Sequence, residues 1–529
     1  MILAFVDVDV LPMDSERVLR DQTVLVADGR VAWMGPSADA PPVPAAVRVD
    51  GEGRTLLPGL ADMHVHLFDA RDLPLYLAAG VTTVLNMSGS PAHLKWRDDV
   101  ARGALAGPRV VTTGPMIEEQ GDPIFGLAEA VESEVDAWRV VGEQARAGYD
   151  FLKIHGDLEV GLYDAVMDAA AAHRMRVLGH VSERVGLLHA MRRRQASVEH
   201  TEELVFGFFN GRLEPRRIPV AVDAIRAGGA VVTPTLVSMD ALARMLGDGI
   251  DAQLARPENR YTPAMERADW PAAANPYRAR MAGEAAWMGE SLGFQSQLVA
   301  ALRDAGVPLL AGTDAGWLPF VLHGDGLHDE LDLLQRAGLS RWEALSAATR
   351  EAGEFLGDGS GVVRAGAPAE LLLVDGDPLA PGPLKVAGVA TQGRWHDRDA
   401  LDALRPVQAD EPVADAFGRG DVAGALRLAK ERANALSEGD WRLLALRLAQ
   451  ADRFPDVLAV LRMATAAKPA SWELRACLAG ALEAAGRADE ARLARAEADA
   501  LRTRAGGTAD EAAGSRGIPG PGFRGAAPR

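Results

Sequence analysis

Cysteine is almost missing from this chain: Cys477 is the single example among 529 residues. No internal disulfide can form and thiolate metal clusters are excluded, so a metal site must use His, Asp, Glu or a modified Lys. An excess of positive charge is missing too. With 56 Lys and Arg against 74 Asp and Glu, the formal net charge is -18. That argues against nucleic acid or an anionic membrane as partner, because both need clustered cations. The one dense basic run, Arg192-Arg193-Arg194, is short and reads as a solvated helix end. Long apolar runs are lacking: none approaches the roughly 20 residues that a membrane span requires. The opening MILAFVDVDVLPMD has acidic residues inside its apolar stretch and no basic segment ahead of it. It reads as a first strand and not as a signal peptide, so the chain is expected to be cytoplasmic.

What is present is an ordinary globular balance, 48% hydrophobic and 25% charged, in a chain too long for one average domain. Residues 1–57 carry short strand patterns broken by Gly and Pro. From Pro58 to Leu356, β-branched runs alternate with Ala- and Leu-rich amphipathic stretches, the pattern of βα units around a parallel sheet. Strands are expected at 61–66, 81–87, 109–113, 151–155, 176–180, 197–200, 231–235 and 308–314. Eight strands in about 300 residues suit an α/β fold of the (β/α)8 TIM-like barrel type. The stretch 238–302 exceeds one crossover helix and reads as a helical insertion suited to a substrate lid. Strand character returns over 357–400, which is expected to join 1–57 as one small β-sandwich split by the barrel. Residues 406–504 look almost purely helical. The turns at Gly418-Arg419-Gly420-Asp421, Asp452-Arg453-Phe454 and Ala485-Gly486-Arg487 recur at a spacing of roughly 34 residues, as in tetratricopeptide-like repeats. Residues 505–529 are rich in Gly, Pro, Ala and Ser and read as a disordered tail.

The residues that carry chemistry fall at strand ends. His64 and His66, in PGLADMHVHL, are spaced i, i+2 and project from one face of a strand. Lys153 lies in FLKIH, His180 ends VLGH, His200 ends VEH and Asp314 ends LLAGTD. In a barrel, groups at the C-terminal ends of different strands surround one point. By themselves an isolated His-x-His is weak, and Lys153 reads as a salt-bridged lysine, with Asp157 the nearest partner.

Taken together, PGLADMHVHL, FLKIHG, LGHVS, VEHTEE and AGTDAG, with GVVRAGAPAELLLVDGDP later, resemble the metal-dependent amidohydrolase superfamily, in its imidazolonepropionase-like and prolidase-like branch. The resemblance runs over about residues 1–398 and leaves out the helical C-terminus. It implies a binuclear site of two divalent ions, most suitably Zn²⁺, with His64, His66 and Asp314 on one metal and His180 and His200 on the other. It also implies that Lys153 bridges them as a carbamate, since a protonated ammonium has no lone pair to offer. Water bound between ions about 3.5–4 Å apart is then available as hydroxide, and Asp314 is the catalytic proton carrier. The implied reaction is hydrolysis of a C–N amide bond.

His155, His323 and His328 are candidate substrate contacts, and Arg278 and Arg280 candidate partners for a substrate carboxylate. Three functions stay open. One is cleavage of a short peptide or an N-acyl amino acid, the small-molecule substrate that a bridging lysine favours. The second is opening of a cyclic amide or imidazolone-type ring. The third is a scaffold whose repeats bind a protein partner.

Overall fold

The computed structural model describes residues 2–44, 46–122, 124–271 and 275–504. The expected tail at 505–529 and the side chain of Arg280 lie outside the described residues. Strands β1 (Ile2–Val10), β2 (Leu19–Ala27), β3 (Arg30–Pro36), β4 (Val47–Asp50) and β5 (Thr55–Pro58) open the chain. Then come β6 (Leu60–Val65), β7 (Val81–Asn86), β8 (Arg109–Thr112), β9 (Met116–Glu118), β10 (Ala128–Ala130), β11 (Leu152–Ile154), β12 (Val177–Gly179), β13 (Ser197–Glu199) and β14 (Val231–Thr233). β15 (Leu371–Asp375), β16 (Lys385–Thr391) and β17 (Arg394–Asp397) follow the barrel region.

The two flanks do meet. β15 pairs antiparallel with β5, Leu371 opposite Pro58 and Leu373 opposite Leu56. The ladder continues in the order β17-β16-β15-β5-β1-β2-β3, with β4 also on β1. The strands of both flanks form one continuous eight-stranded ladder. β1 makes it so, by pairing with β4 over Leu3–Val6 and with β5 at Asp9 and Val10. Its register against β2 shifts between Phe5 and Val10, the mark of bulges that bend a strand. Leu3, Phe5, Val24, Val26, Leu56, Leu371 and Leu373 form the buried core of this sheet.

The barrel region is parallel, as the alternation requires, but its ladder is interrupted. It forms three sheets, β6-β7-β8, β10-β9-β11-β12 and β13-β14. Single parallel bridges join neighbouring runs at Thr113 and Phe151, at Val232 and Leu309, and at Val65 and Ala315. The run 308–314, expected as an eighth strand, makes no strand ladder. Its backbone still lies between neighbours, with Leu310 N–H donating to Val232 (2.9 Å) and Met63 N–H to Ala311 (2.9 Å). The packing there is tight: a Cβ on Gly312 would sit 2.5 Å from Thr233 and 2.9 Å from the His64 Cβ, and Asp314 turns at φ 63°. β9 and β10, which no sequence pattern announced, lie in the loop after β8.

Helices alternate with these strands for ordinary reasons. Ser133 caps Glu134–Ala147 through the Asp136 N–H, and Gly148 ends it at φ 85°. The insertion is helical as expected. C-terminally, six helices from Pro412–Gly418 to Ala488–Arg504 follow one another. The turns between the members of each pair hold Gly420, Asp452 and Gly486 at φ 77°, 56° and 71°, the recurring positions of the sequence pattern. No described helix is long and apolar enough to cross a membrane.

Candidate metal centre

β6 delivers two imidazoles to one point. His64 lies in the strand and His66 just beyond it, both buried. Their Nε2 atoms approach one oxygen, Asp314 Oδ1, at 3.4 and 3.0 Å. The Asp314 carboxyl is carried there by a tight turn: its N–H donates to the His64 carbonyl at 2.7 Å. Asp62 pins the preceding residue, accepting the Thr313 N–H (3.0 Å) and hydroxyl (2.7 Å). The His200 ring centroid is 4.4 Å from that of His64, and His180 is 5.0 Å from His200.

The far side of each ring is occupied. His64 Nδ1 meets Glu199 Oε2 at 2.8 Å, His66 Nδ1 meets Ser88 Oγ at 2.8 Å, and His200 Nδ1 meets Thr235 Oγ1 at 2.7 Å. Thr235 spends its own hydroxyl proton on the Pro234 carbonyl at 2.8 Å, so it accepts from His200. Burial pushes the Glu199 carboxyl up, against the opposing pull of Lys153 and the Ser197 hydroxyl. As a carboxylate it accepts the His64 Nδ1 proton. Both tautomers then leave a bare Nε2 lone pair facing inward. Burial, and then the charge of Lys153, hold His64 and His180 well below the ordinary imidazole pKa, and burial takes His200 down to about 3. Burial raises Asp314, but the imidazoles that surround it, His66 at 3.0 Å first, outweigh that and leave it below the usual carboxylate value.

Neutral imidazoles around an ionised carboxylate are lone pairs facing lone pairs, an arrangement a cation completes. His64 Nε2, His180 Nε2 and Asp314 Oδ1 are buried with no hydrogen-bond partner. So is Lys153 Nζ, on a side chain with no solvent exposure. Its expected partner Asp157 is taken, accepting Arg184 Nε at 2.8 Å. Burial lowers the Lys153 pKa, with Glu199, Asp314 and Glu203 opposing. The donor set, nitrogen and carboxylate without sulfur, fits Zn²⁺-type cations.

The other expected contacts divide. His155 joins the ring's rim, hydrogen-bonded to Glu118 and 4.7 Å from the His180 ring, with 31% of its side chain exposed. His323 does not face the ring. It is buried among Tyr76, whose hydroxyl is 3.0 Å from Nδ1, Glu266 (3.4 Å) and Asp72 (3.8 Å). His328 is also elsewhere, its Nε2 donating to the Ala79 carbonyl at 2.9 Å and tying one helix to another. Both follow the last run in sequence, yet the chain turns them inward. Arg278 donates to the Pro271 carbonyl at 3.0 Å.

Sequence reasoning missed Glu199, Ser88, Thr235, Glu203 and Trp317. Glu199 left a signal, a carboxylate within a short apolar strand directly before His200. The hydroxyls left none.

The amidohydrolase family model matches residues 55–396. An imidazolonepropionase of Micrococcus luteus is 42% identical over 162 residues, 28% of this chain and 35% of that one. The structure of a bottromycin amidohydrolase superposes with a TM-score of 0.61 at 29% identity, over 76% of this chain and 88% of the other. A Xaa-Pro dipeptidase with bound methionine, 18% identical, shares the fold at a TM-score of 0.59 over 75% of this chain and all of that one. The parallel strands β6–β14 and the ring lie within the matched span, and the chain belongs to the amidohydrolase family.

Proposed function

We propose that this chain is a metal-dependent hydrolase of C–N amide bonds in short peptides or N-acyl amino acids, working at a binuclear site in a (β/α)8 barrel that spans residues 58–356. The observation that carries the reading is the ring of inward lone pairs around Asp314 Oδ1 beside an unpartnered, buried Lys153 amine. His64, His66 and Asp314 would hold one divalent cation and His180 and His200 the other, with Lys153 bridging them as a carbamate. Forming it joins the amine nitrogen to carbon dioxide and releases one proton, so it needs a neutral amine, the form that burial favours. When bound, such cations supply Lewis acidity, lowering the pKa of water toward about 7 and polarising a carbonyl.

The chain's own residues do the rest. Asp314, ionised at neutral pH, takes the proton of the attacking water and hands it to the leaving amine, which departs poorly without it. Glu199, Ser88 and Thr235 fix the imidazole orientations, so the donor atoms need no rearrangement. The shared fold with the Xaa-Pro dipeptidase supports peptide substrates, as does the bridging position of Lys153. Opening of a cyclic amide or imidazolone ring is the second reading, favoured by the local identity to imidazolonepropionase. The C-terminal helices are read as tetratricopeptide-like repeats.

Metal analysis joined to assays of dipeptides, N-acyl amino acids, lactams and an imidazolone distinguishes the readings. Two equivalents of Zn²⁺ with turnover of the acyclic amides is the expected result. Protein purified without chelator that holds no metal, and regains none with Zn²⁺ and bicarbonate, would overturn it.

A further inference from the structure

A helical appendage would bury its apolar faces only on itself. Here the core of the six C-terminal helices also contains Phe68, Met116, Ile124, Leu127, Ala128 and Met265, side chains of β9, β10, the helix Ala264–Arg267 and the loops beside them. Trp317, three residues after Asp314, packs against the same core. Its ring lies 5.0 Å from His66 and 6.1 Å from Phe68.

The helix Glu438–Gln450 grips the segment that follows His66. Gly439 meets Asp69 so closely that a Cβ there would lie 1.7 Å from the Asp69 Oδ2. Asp440 accepts from Arg71 Nη2 at 3.0 Å, and Arg442 Nη1 lies 3.5 Å from the Phe68 carbonyl. Asp69 in turn accepts the Arg71 N–H (2.9 Å) and donates its own N–H to Asp72 (3.1 Å), fixing the turn Ala70–Asp72. Exposure varies around the ring: His66 and Asp314 have 5% and 8% of their side chains exposed, His155 and Glu203 31% and 32%.

We propose that the helix Glu438–Gln450 is a positioning element of the ring, with Gly439, Asp440 and Arg442 holding the segment from Phe68 to Asp72. Through Phe68 and Trp317 it walls the ring beside His66. The C-terminal helices thereby belong to the catalytic unit. The effect on metal rests on the reading of the ring given above; the effect on the segment does not.

The test uses the full chain. Gly439→Ala leaves the helix itself intact, because Ala is the better helix former, but it displaces the Asp69 carboxylate. Arg442→Met keeps the apolar stem and removes the donor. Leu461→Ala opens a cavity in the same helical core, in the following helix Phe454–Ala467, and serves as the control. Hydrogen exchange over residues 66–72 and Zn²⁺ affinity by chelator competition are compared with wild type. Expected are faster exchange over 66–72 and about tenfold weaker Zn²⁺ binding in the Gly439 and Arg442 variants. Leu461→Ala should lower Tm with both readouts unchanged. Wild-type exchange and affinity in Gly439→Ala, or an equal loss in Leu461→Ala, would overturn the proposal. If wild type takes up no Zn²⁺, the reading of the ring fails, and the exchange comparison alone decides the positioning role.

Discussion

Two buried clusters in this molecule use the same side chains and end in opposite charge states. One is His64, His66 and Asp314; the other is Asp72, Glu266 and His323. Each brings its ligand atoms within 4.8 Å of one another, and all six side chains are buried. In the first, burial holds His64 and His66 below the ordinary imidazole pKa, and the charge of Lys153 acts in the same direction. In the second, burial again opposes the charge of His323, but one imidazole faces two carboxylates, and Asp72 and Glu266 push its pKa up to about 9. Burial alone therefore does not decide whether a histidine is a ligand or a cation. The charges set around it do, Lys153 and further imidazoles in the first cluster and two carboxylates in the second, and only neutral imidazoles leave lone pairs for a metal.

The sharpest way to break this contrast is Asp314→Asn. It removes the carboxylate on which the first cluster turns, and kcat/KM should fall roughly 10²–10⁴-fold with folding kept, measured on whichever amide proves to be the substrate. His323→Gln strikes the second cluster instead. Two carboxylates lose their buried cation, so urea unfolding should show a loss of about 3–5 kcal/mol while bound metal per chain stays at the wild-type value. A loss of metal in that variant would mean the clusters are not distinct. Smaller again is Glu199→Gln, which leaves every proposed ligand in place and frees the His64 tautomer. Metal affinity should drop about 10–100-fold in a chelator competition, with little change in Tm.

The mildest probe is pH. A histidine whose folded pKa exceeds its unfolded value stabilises the fold fully below the unfolded value, and that stability is lost as pH rises through the folded one. His323 is raised from 6.5 to about 9, and Asp72 from 3.8 to about 7, where burial opposes its charge. Both shifts have the same sign but different windows: the Asp72 contribution is lost between about pH 4 and 7 and that of His323 between about pH 6.5 and 9, so resistance to urea should decline from about pH 6.5 to 9. A flat profile over that range would show that His323 is neutral in the fold.

The strand-end residues His64, His66, Lys153, His180, His200 and Asp314 were legible because chemistry, strand pattern and motif coincide at each. His155 was half legible, two residues beyond Lys153 and so on the same face of its strand. His323 and His328 misled, because following the last run in sequence does not tell which way the chain turns. The eighth run hid its irregularity: LLAGTD reads as a strand, while the turn of Asp314 at φ 63° appears only in the folded chain. The split sheet was visible as two strand-rich flanks, but its single continuous ladder depends on β1 changing partner midway.

Residue order alone determined the alternation of β and α, the helical C-terminus and the chemical identity of the inward-facing groups, since these follow from periodicity and side-chain type along one stretch of chain. Tertiary structure alone decided which Nδ1 meets which oxygen, in which of two similar clusters the imidazoles stay neutral, and that the C-terminal helices pack against Phe68 and Trp317 beside the ring. Those outcomes depend on distances between residues hundreds of positions apart, such as Asp69 and Gly439. Local propensity carries no information about distances of that kind.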